Sequence, residues 1–162
     1  VEILTGPGHI TGNYVEITGQ THVAIGSDRG DSIVMAGNVV RVKPGGSLDI
    51  AFRSWANSQR HVIADNVVIV EPEGRCGIAV DARGYGAAIT GNVFEGLPGL
   101  AEPMRLVIGG GDSILQGNVL RNVAVEINDP SETPAPIVLG PNVHTNAPID
   151  VKAGKVERIG GE

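Results

Sequence analysis

The segment HITGNYVEI, residues 9–17, contains the short motif from which the fold of this chain can be predicted. The same arrangement returns in AITGNVFEG, residues 88–96, and in SILQGNVLRNV, residues 113–123. Large apolar residues stand three positions before and two positions after each asparagine, except that His144 takes the second position after Asn142. Six asparagines mark the copies, at intervals of 25, 28, 26, 26 and 24 residues: Asn13, Asn38, Asn66, Asn92, Asn118 and Asn142. A nearly fixed period of this length predicts a stacked-repeat architecture.

Each copy of the motif predicts a strand, a tight turn and a second strand. Glycine adopts a positive φ without steric cost and asparagine tolerates it better than most residues, so Gly-Asn suits the turn. The residue before the asparagine is glycine in four copies, Asp65 in the third and Pro141 in the sixth. An alternative is that Gly-Asn closes the hairpins of a β-sandwich. Hairpins, however, do not require a long period with matched apolar columns.

A third strand is predicted further along each repeat, where two apolar residues flank a single intervening residue. These pairs are Val23/Ile25, Ile50/Phe52, Ile78/Val80, Leu106/Ile108, Val125/Ile127 and Ile149/Val151. No segment has the apolar stripe of an amphipathic helix. We therefore predict an all-β parallel β-helix of about six coils, with three short strands per coil. The six asparagines are predicted to stack into an internal ladder, and residues 1–162 to form one domain.

The quoted segments resemble the coils of right-handed parallel β-helix proteins of the pectate-lyase-like superfamily. The resemblance covers residues 8–151, and it implies a fold rather than an activity, because the repeat encodes the scaffold. It implies two functional classes. The first is a structural or receptor-contact domain of a phage tail spike, fibre or similar trimeric virion protein. The alternative is a carbohydrate-active β-helix enzyme (a polysaccharide lyase, hydrolase or epimerase) or a fragment of one.

Composition and charge argue against several other classes of protein. The net charge of −6 argues against binding nucleic acid through its phosphates. No run of 18 apolar residues occurs, so no membrane span is predicted. Cys76 is the only cysteine, which excludes an intrachain disulfide, and we interpret it as a structural residue. No cofactor or metal is predicted, because the four histidines stand at different positions of the repeat: His9, His22, His61 and His144.

The two ends of the chain favour a piece of a larger chain or assembly. The sequence starts at Val1 rather than Met, and neither end contains an amphipathic helix that would cover the terminal coil. Terminal repeats of stacked proteins need such a cover. Together with the resemblance, this predicts a virion or extracellular location and a structural role rather than catalysis.

The residue between the two apolar partners of each third strand is predicted to face outward. This column begins with four small apolar residues, Ala24, Ala51, Ala79 and Val107. One interpretation is that alanine is simply tolerated on a sheet face. The other is that small side chains let another copy approach closely. The column then predicts a homo-oligomer, which the resemblance to spike-type β-helices implies is a trimer.

The turns after the third strands are predicted to stack into a mixed-charge, partly aromatic ridge. They include RSWANSQR, residues 53–60, and DARGYGA, residues 81–87. Trp55 and Tyr85 lie in these adjacent turns with Arg53, Arg83 and Asp81. Sugar faces stack on aromatic rings and sugar hydroxyls bond to charged groups, so the ridge predicts contact with a cell-surface polysaccharide or a partner. Alternatively, Trp55 packs back on the coil and the charges are solvated.

The candidates for catalysis are Asp49, Asp81, Arg53 and Arg105. The resemblance implies acidic residues beside a basic residue in a lyase, and glycosidases use paired carboxylates. Asp49 precedes the apolar pair of its strand, whereas Asp81 follows the pair of the next. Because these positions differ, the sequence does not predict that the two carboxylates converge.

Overall fold

The computed structural model describes residues 1–3, 7–55, 59–100, 102–132 and 135–160. That part of the chain forms twenty β-strands and no helix. Residues 56–58 of the longest predicted turn lie outside it. The strands are β1 Glu2–Ile3, β2 Gly8–Thr11, β3 Tyr14–Ile17, β4 Gln20–Ser27, β5 Ile33–Ala36, β6 Val39–Val42, β7 Ser47–Ser54, β8 Val62–Ala64, β9 Val67–Val70, β10 Arg75–Ala82, β11 Ala88–Thr90, β12 Val93–Gly96, β13 Met104–Ile108, β14 Ile114–Gln116, β15 Val119–Arg121, β16 Val123–Asn128, β17 Ile137–Leu139, β18 Val143–Thr145, β19 Ile149–Ala153 and β20 Val156–Arg158.

The strands assemble into three parallel sheets, each taking every third strand in chain order. Sheet A is β1-β4-β7-β10-β13-β16-β19, sheet B is β2-β5-β8-β11-β14-β17-β20, and sheet C is β3-β6-β9-β12-β15-β18. The chain therefore winds through sheets A, B and C in each coil, which confirms the predicted parallel β-helix with three strands per coil. The six asparagines are separated by five intervals, which correspond to about five turns.

The core is a continuous column of aliphatic side chains inside the coils. Phe94, for example, is fully buried, and its register partners in sheet C are Val68 and Leu120. Strands alternate buried and outward residues, as in the burial of β9, where Val68 and Val70 are buried and Val67 and Ile69 are half-exposed. Side chains of similar size stack in register, and this fills the interior without helices.

The asparagines form the predicted ladder at the corner between sheets B and C. From Asn13 to Asn118, each amide nitrogen donates to the side-chain oxygen of the next asparagine, at 2.9 Å for Asn13–Asn38 and 3.0 Å for Asn66–Asn92. The backbone N–H of the same residue donates to that oxygen as well, for example Asn92 N to Asn118 Oδ1 at 2.9 Å. The ladder thus satisfies polar groups that the corner would otherwise bury unpaired.

In five of the six copies, the residue before the asparagine has a positive φ, in the left-handed region. Gly12 has a φ of 67° and Gly91 of 67°, as the Gly-Asn motif predicts. Asp65 adopts a φ of 54° in the third copy, which aspartate tolerates better than branched residues do. Pro141 fixes a negative φ in the sixth copy. Its carbonyl nevertheless accepts from Gly117 N at 2.6 Å, so the inter-coil bond is kept.

The predicted outward column of small residues is wrong for its three alanines. Ala24, Ala51 and Ala79 are buried and belong to the main core, together with the next residue of each strand. The preceding residues Val23, Ile50 and Ile78 instead form a separate cluster with Val107, outside the core. The predicted contact stripe is therefore interrupted, since Val107 lies with that outer cluster and the alanines do not.

A β-bulge explains the error. The pairing of β10 with β13 shifts register between Ile78 and Val80, so Ala79 is an extra residue without a partner in β13. A single extra residue moves the alternation to the other face. Strands β4 and β7 share the register of β10 and have an alanine at the same position. The small side chain allows two consecutive residues to face the core there.

Candidate functional site

The outer face of sheet A brings Arg53 and Asp81 together. Asp81 of β10 is the register partner of Arg53 in β7, and Gly26 of β4 is the partner of Arg53 on the other side. Arg53 Nη2 contacts Asp28 Oδ1 at 2.6 Å, and the arginine side chain is almost fully buried. A Cβ at Gly26 would lie 3.3 Å from Arg53 Cβ, so the glycine makes room for this side chain.

Trp55 follows β7 directly, and its ring is held on one face and one edge. The guanidinium carbon of Arg53 lies 4.6 Å from the centroid of the ring, in a cation–π contact. The indole Nε1 donates to Asp81 Oδ2 at 3.1 Å. The side chain remains 39% exposed. Trp55 is thus an exposed aromatic ring in a fixed orientation.

Asp81 is the anchor of this arrangement. Its Oδ1 accepts from Arg83 Nε at 2.8 Å while Oδ2 accepts from Trp55, and its side chain is only 2% exposed. Because both oxygens have donors, the carboxylate positions its neighbours rather than offering a free base. We call Asp28, Arg53, Trp55, Asp81 and Arg83 the Trp55 patch. Its two acidic and two basic groups balance.

Tyr85 lies in the turn after β10 and is 48% exposed. Its backbone carbonyl accepts from Arg60 N at 2.8 Å, which ties this turn to the preceding one. Hydrogen bonding to the Asp112 carboxylate, in the turn after β13, raises the pKa of the Tyr85 hydroxyl. The polar contact of Tyr85 therefore lies on the side away from the turn that carries Trp55. Membership of Tyr85 in the same surface patch stays a prediction.

The four catalytic candidates do not form one constellation. Asp49 precedes Arg53 by four residues in β7, so its strand position is about 13 Å from that of Asp81, the partner of Arg53. Glycosidase carboxyl groups lie roughly 5 to 10 Å apart. Asp49 Oδ2 pairs instead with His22 Nδ1 at 2.8 Å, on the surface. Arg105 Nη1 lies 3.7 Å from Glu126 Oε2 on the next strand.

A groove of about 790 Å³ lies beside Arg105, and the sequence did not lead us to predict it. Its lining includes Glu73, Arg75, Gly77, Glu102, Arg105 and Ala124. The signal in the sequence was the long connection from Gly96 to Met104, compared with the shorter one from Val70 to Arg75. The outer cluster of Ile50, Ile78 and Val107 lies between the groove and the Trp55 patch along the strands.

The cysteine and two of the histidines lie outside the Trp55 patch. Burial raises the pKa of the Cys76 thiol to about 12, which makes it unreactive at neutral pH. His61 is buried, whereas His144 is exposed although it is the register partner of the buried Leu120. Among the described residues, no cluster of three or more His, Cys, Asp or Glu side chains is arranged to hold a metal ion.

His61 makes stability depend on pH. Its Nε2 lies 2.5 Å from Gly30 O, while Nδ1 is buried without a partner. Burial lowers the pKa of His61, and the Gly30 carbonyl and Asp31 only partly oppose this. As the pH falls, the histidine therefore binds its proton in the unfolded chain before it does so in the folded one. The contribution of neutral His61 to the unfolding free energy is fully present above about pH 6.5 and is lost as the pH falls below that value.

We expect the unfolding free energy of wild type to fall more steeply than that of His61→Gln between pH 7.5 and pH 5. Urea titrations of both proteins at each pH measure this difference. Carboxylate titration is common to the two proteins and cancels in the comparison. Parallel pH profiles would contradict the assignment to His61.

Comparisons with family models, curated proteins and solved structures gave no match to this chain. The geometry described above is therefore the basis for any functional conclusion. Across the described ranges, no helix is long and apolar enough to cross a membrane.

Proposed function

We propose that this chain is a structural and receptor-contact β-helix domain, of the kind found in phage tail spikes, fibres and similar virion proteins. We further propose that the Trp55 patch is its contact with a cell-surface polysaccharide. The observation that carries the proposal is the exposed Trp55 ring, which Arg53 and Asp81 hold in one orientation. A virion or extracellular location is part of the same proposal.

Pre-organisation supports saccharide contact at this patch. Ordering a mobile side chain on binding costs free energy, and a ring already fixed by a buried ion network avoids most of that cost. Arg53 covers one face of the indole, and the exposed part of the ring is available to stack on a sugar. Beside the ring, the exposed guanidinium of Arg83 can donate to sugar hydroxyls and the partly exposed carboxylate of Asp28 can accept from them, whereas Asp81 and Arg53 are buried and position the ring.

The shape of the outer face of sheet A suits an extended chain. From Arg75 to Arg83 the groove, the outer apolar cluster and the Trp55 patch follow one another along the strand direction. Eight residue steps span about 26 Å. A polymer lying along the strands would contact all three features.

Oligomerisation also belongs to the proposal, but the column of alanines no longer supports the expected trimer. Ala24, Ala51 and Ala79 lie in the core and offer no surface to another copy. A carbohydrate-active enzyme remains the second candidate. The groove favours it, because Glu73, Glu102 and Arg105 combine carboxylates and a guanidinium on one concave surface.

Trp55→Ala should weaken saccharide binding by about tenfold or more, since central aromatic residues carry much of the binding energy of a contact. A glycan array with acidic and neutral polysaccharides identifies the ligand, and titration calorimetry then measures the affinity. Trp55→Phe keeps a ring and should retain part of the binding.

Tyr14→Ala is the matched control, because Tyr14 is an exposed aromatic residue on sheet C. It should leave the affinity for a monovalent oligosaccharide unchanged, because such a ligand contacts one Trp55 patch at a time. Silence of the wild-type protein across the array would refute saccharide recognition. Release of unsaturated or reducing products from a polysaccharide, lost on Arg105→Ala, would favour the enzyme instead.

A further inference from the structure

The outer face of sheet C carries an apolar column along its whole length. The register partners in this column are Tyr14, Val39, Val67, Val93, Val119 and Val143. The two end members are the most exposed, with Tyr14 at 60%, and the inner valines are half-buried. The core residues of the same strands alternate with them, so this column faces outward.

A second outward column lies two residues further along the same strands. Its members are Glu16, Arg41, Ile69, Glu95, Arg121 and, on the end strand β18, the uncharged Thr145. Their charges read minus, plus, neutral, minus, plus from β3 to β15. Read in the other direction, from β15 to β3, the five positions have the opposite sign wherever they are charged. Each charge therefore faces an opposite charge when this part of the column is placed against a reversed copy of itself.

We propose that sheet C is a docking surface for a second copy of this chain, which packs face to face about a two-fold axis along β9. Rotation about that axis reverses the order of the coils and keeps each column opposite itself. Glu16 then faces Arg121 of the other copy, Arg41 faces Glu95, and Ile69 faces Ile69. In the apolar column Val39 faces Val93, Val67 faces Val67 and Tyr14 faces Val119, while Val143 on the end strand β18 lies beyond the overlap. An isologous interface requires this self-complementarity.

A pair in which the two solenoids run in the same direction does not bring opposite charges together in this way. A two-fold axis along the solenoid places each apolar residue opposite the charged residue of its own rung, such as Val93 opposite Glu95. Burying valine against a charge gains little and desolvates the charge. The outer face of sheet B has an apolar column as well, from Val34 to Val138, and this column continues to His9 at one end and Glu157 at the other. Glu157 already pairs with Lys155 at 3.3 Å. The sheet B column therefore offers charge only at its two ends, whereas the sheet C column has four charged members.

The charges of the second column have internal partners and remain accessible. Arg121 Nη1 lies 3.2 Å from Glu95 Oε1, and Arg41 Nε lies 2.5 Å from Glu71 Oε1. The two arginine side chains are 47% and 41% exposed. In the pair, each arginine gains a second carboxylate across the interface. This extends two local ion pairs into a network.

The size of the face makes the pair weak. Five strands and four residues per strand cover about 24 Å by 13 Å, or roughly 300 Å² per copy. Stable interfaces bury about 800 Å² per partner. The pair therefore forms in the micromolar range or weaker as isolated domains. It does not depend on the Trp55 patch, which lies on sheet A.

Two charge-reversed variants test the pairing. Arg121→Glu places a second carboxylate opposite Glu16, and Glu16→Arg places a second guanidinium opposite Arg121, each twice in a symmetric pair. Sedimentation equilibrium should show that wild type associates toward twice 16.7 kDa as the concentration rises. Each variant alone should associate at least about tenfold more weakly. An equimolar mixture of the two should regain the wild-type affinity, because opposite charges face each other again.

The mixture separates the interface from effects on folding, since each variant keeps its internal surroundings whether alone or mixed. A cysteine trap provides a second measurement. Ile69→Cys lies on the axis, so a short bismaleimide should link two copies through residue 69. Ala88→Cys on sheet B is the matched control and should link poorly. Cys76 is buried and stays unreactive.

A monomer at every concentration, a trimer, or linkage through residue 88 instead of residue 69 would overturn the proposal. So would a mixture of the two charge variants that fails to associate better than either alone.

Discussion

Ala51→Arg should prevent this domain from folding. Ala51 is 0% exposed and packs in the main core beside Phe52. An arginine there buries a charge without a partner and overfills a closely packed interior, at a cost of about 5 kcal/mol or more. This loss is comparable to the whole stability of a typical domain. Far-ultraviolet circular dichroism and a thermal melt should therefore show no cooperative β-structure.

Ala64→Arg is the matched control, because it introduces the same side chain at an alanine that faces outward. Ala64 is half-exposed in β8 of sheet B, with Ala36 and Thr90 as its register partners. Its side chain can extend into solvent, so we expect a change within about 0.5 kcal/mol. A soluble, cooperatively folded Ala51→Arg protein would mean that the alanine column faces outward after all.

Asn92→Ala should destabilise the domain by about 3 kcal/mol, which corresponds to a fall in melting temperature of roughly 10 °C. The Asn92 side chain accepts from Asn66 N and Nδ2 at 2.9 and 3.0 Å. It also donates to Ile63 O at 2.8 Å and to Asn118 Oδ1 at 2.9 Å. Alanine leaves buried donors and acceptors on both neighbouring coils without partners.

Asn13→Ala tests whether burial causes the effect. Asn13 is half-buried, and its amide donates to Asn38 Oδ1 and Thr11 O. Water replaces these bonds more easily there, so we expect a loss of about 1 kcal/mol or less. Urea denaturation of both variants measures the difference. Equal stability of Asn92→Ala and wild type would exclude an important role for the ladder.

Much of the fold could be predicted because residues at the same position of successive repeats become neighbours in the sheets. The positions of Ile89 and Leu115 relative to Asn92 and Asn118 predict which residues become neighbours, and the structure pairs Ile89 with Leu115. Local turn chemistry agrees with the period at Gly12 and Gly91. Strand order, parallel pairing and the ladder follow from these two signals together.

Only part of the candidate site was predictable. Stacking of successive turns predicted that Arg53, Trp55, Asp81 and Arg83 lie near one another, and the structure joins them in one network. The same stacking could not predict that both oxygens of Asp81 are occupied. The groove beside Arg105 depends on the course of the connection 97–103, for which the repeat has no template.

The sequence by itself determined the period, the three strands of each coil, the asparagine ladder and the direction of strand pairing, because these depend on residue spacing and local backbone preferences. The tertiary structure alone decided which side of sheet A each residue occupies. A single bulge residue, such as Ala79, reverses the alternation, and its occurrence depends on how β10 pairs with β13. It also decided the self-complementary charge order of sheet C, since Glu16 and Arg121 become members of one column only when the coils stack in register.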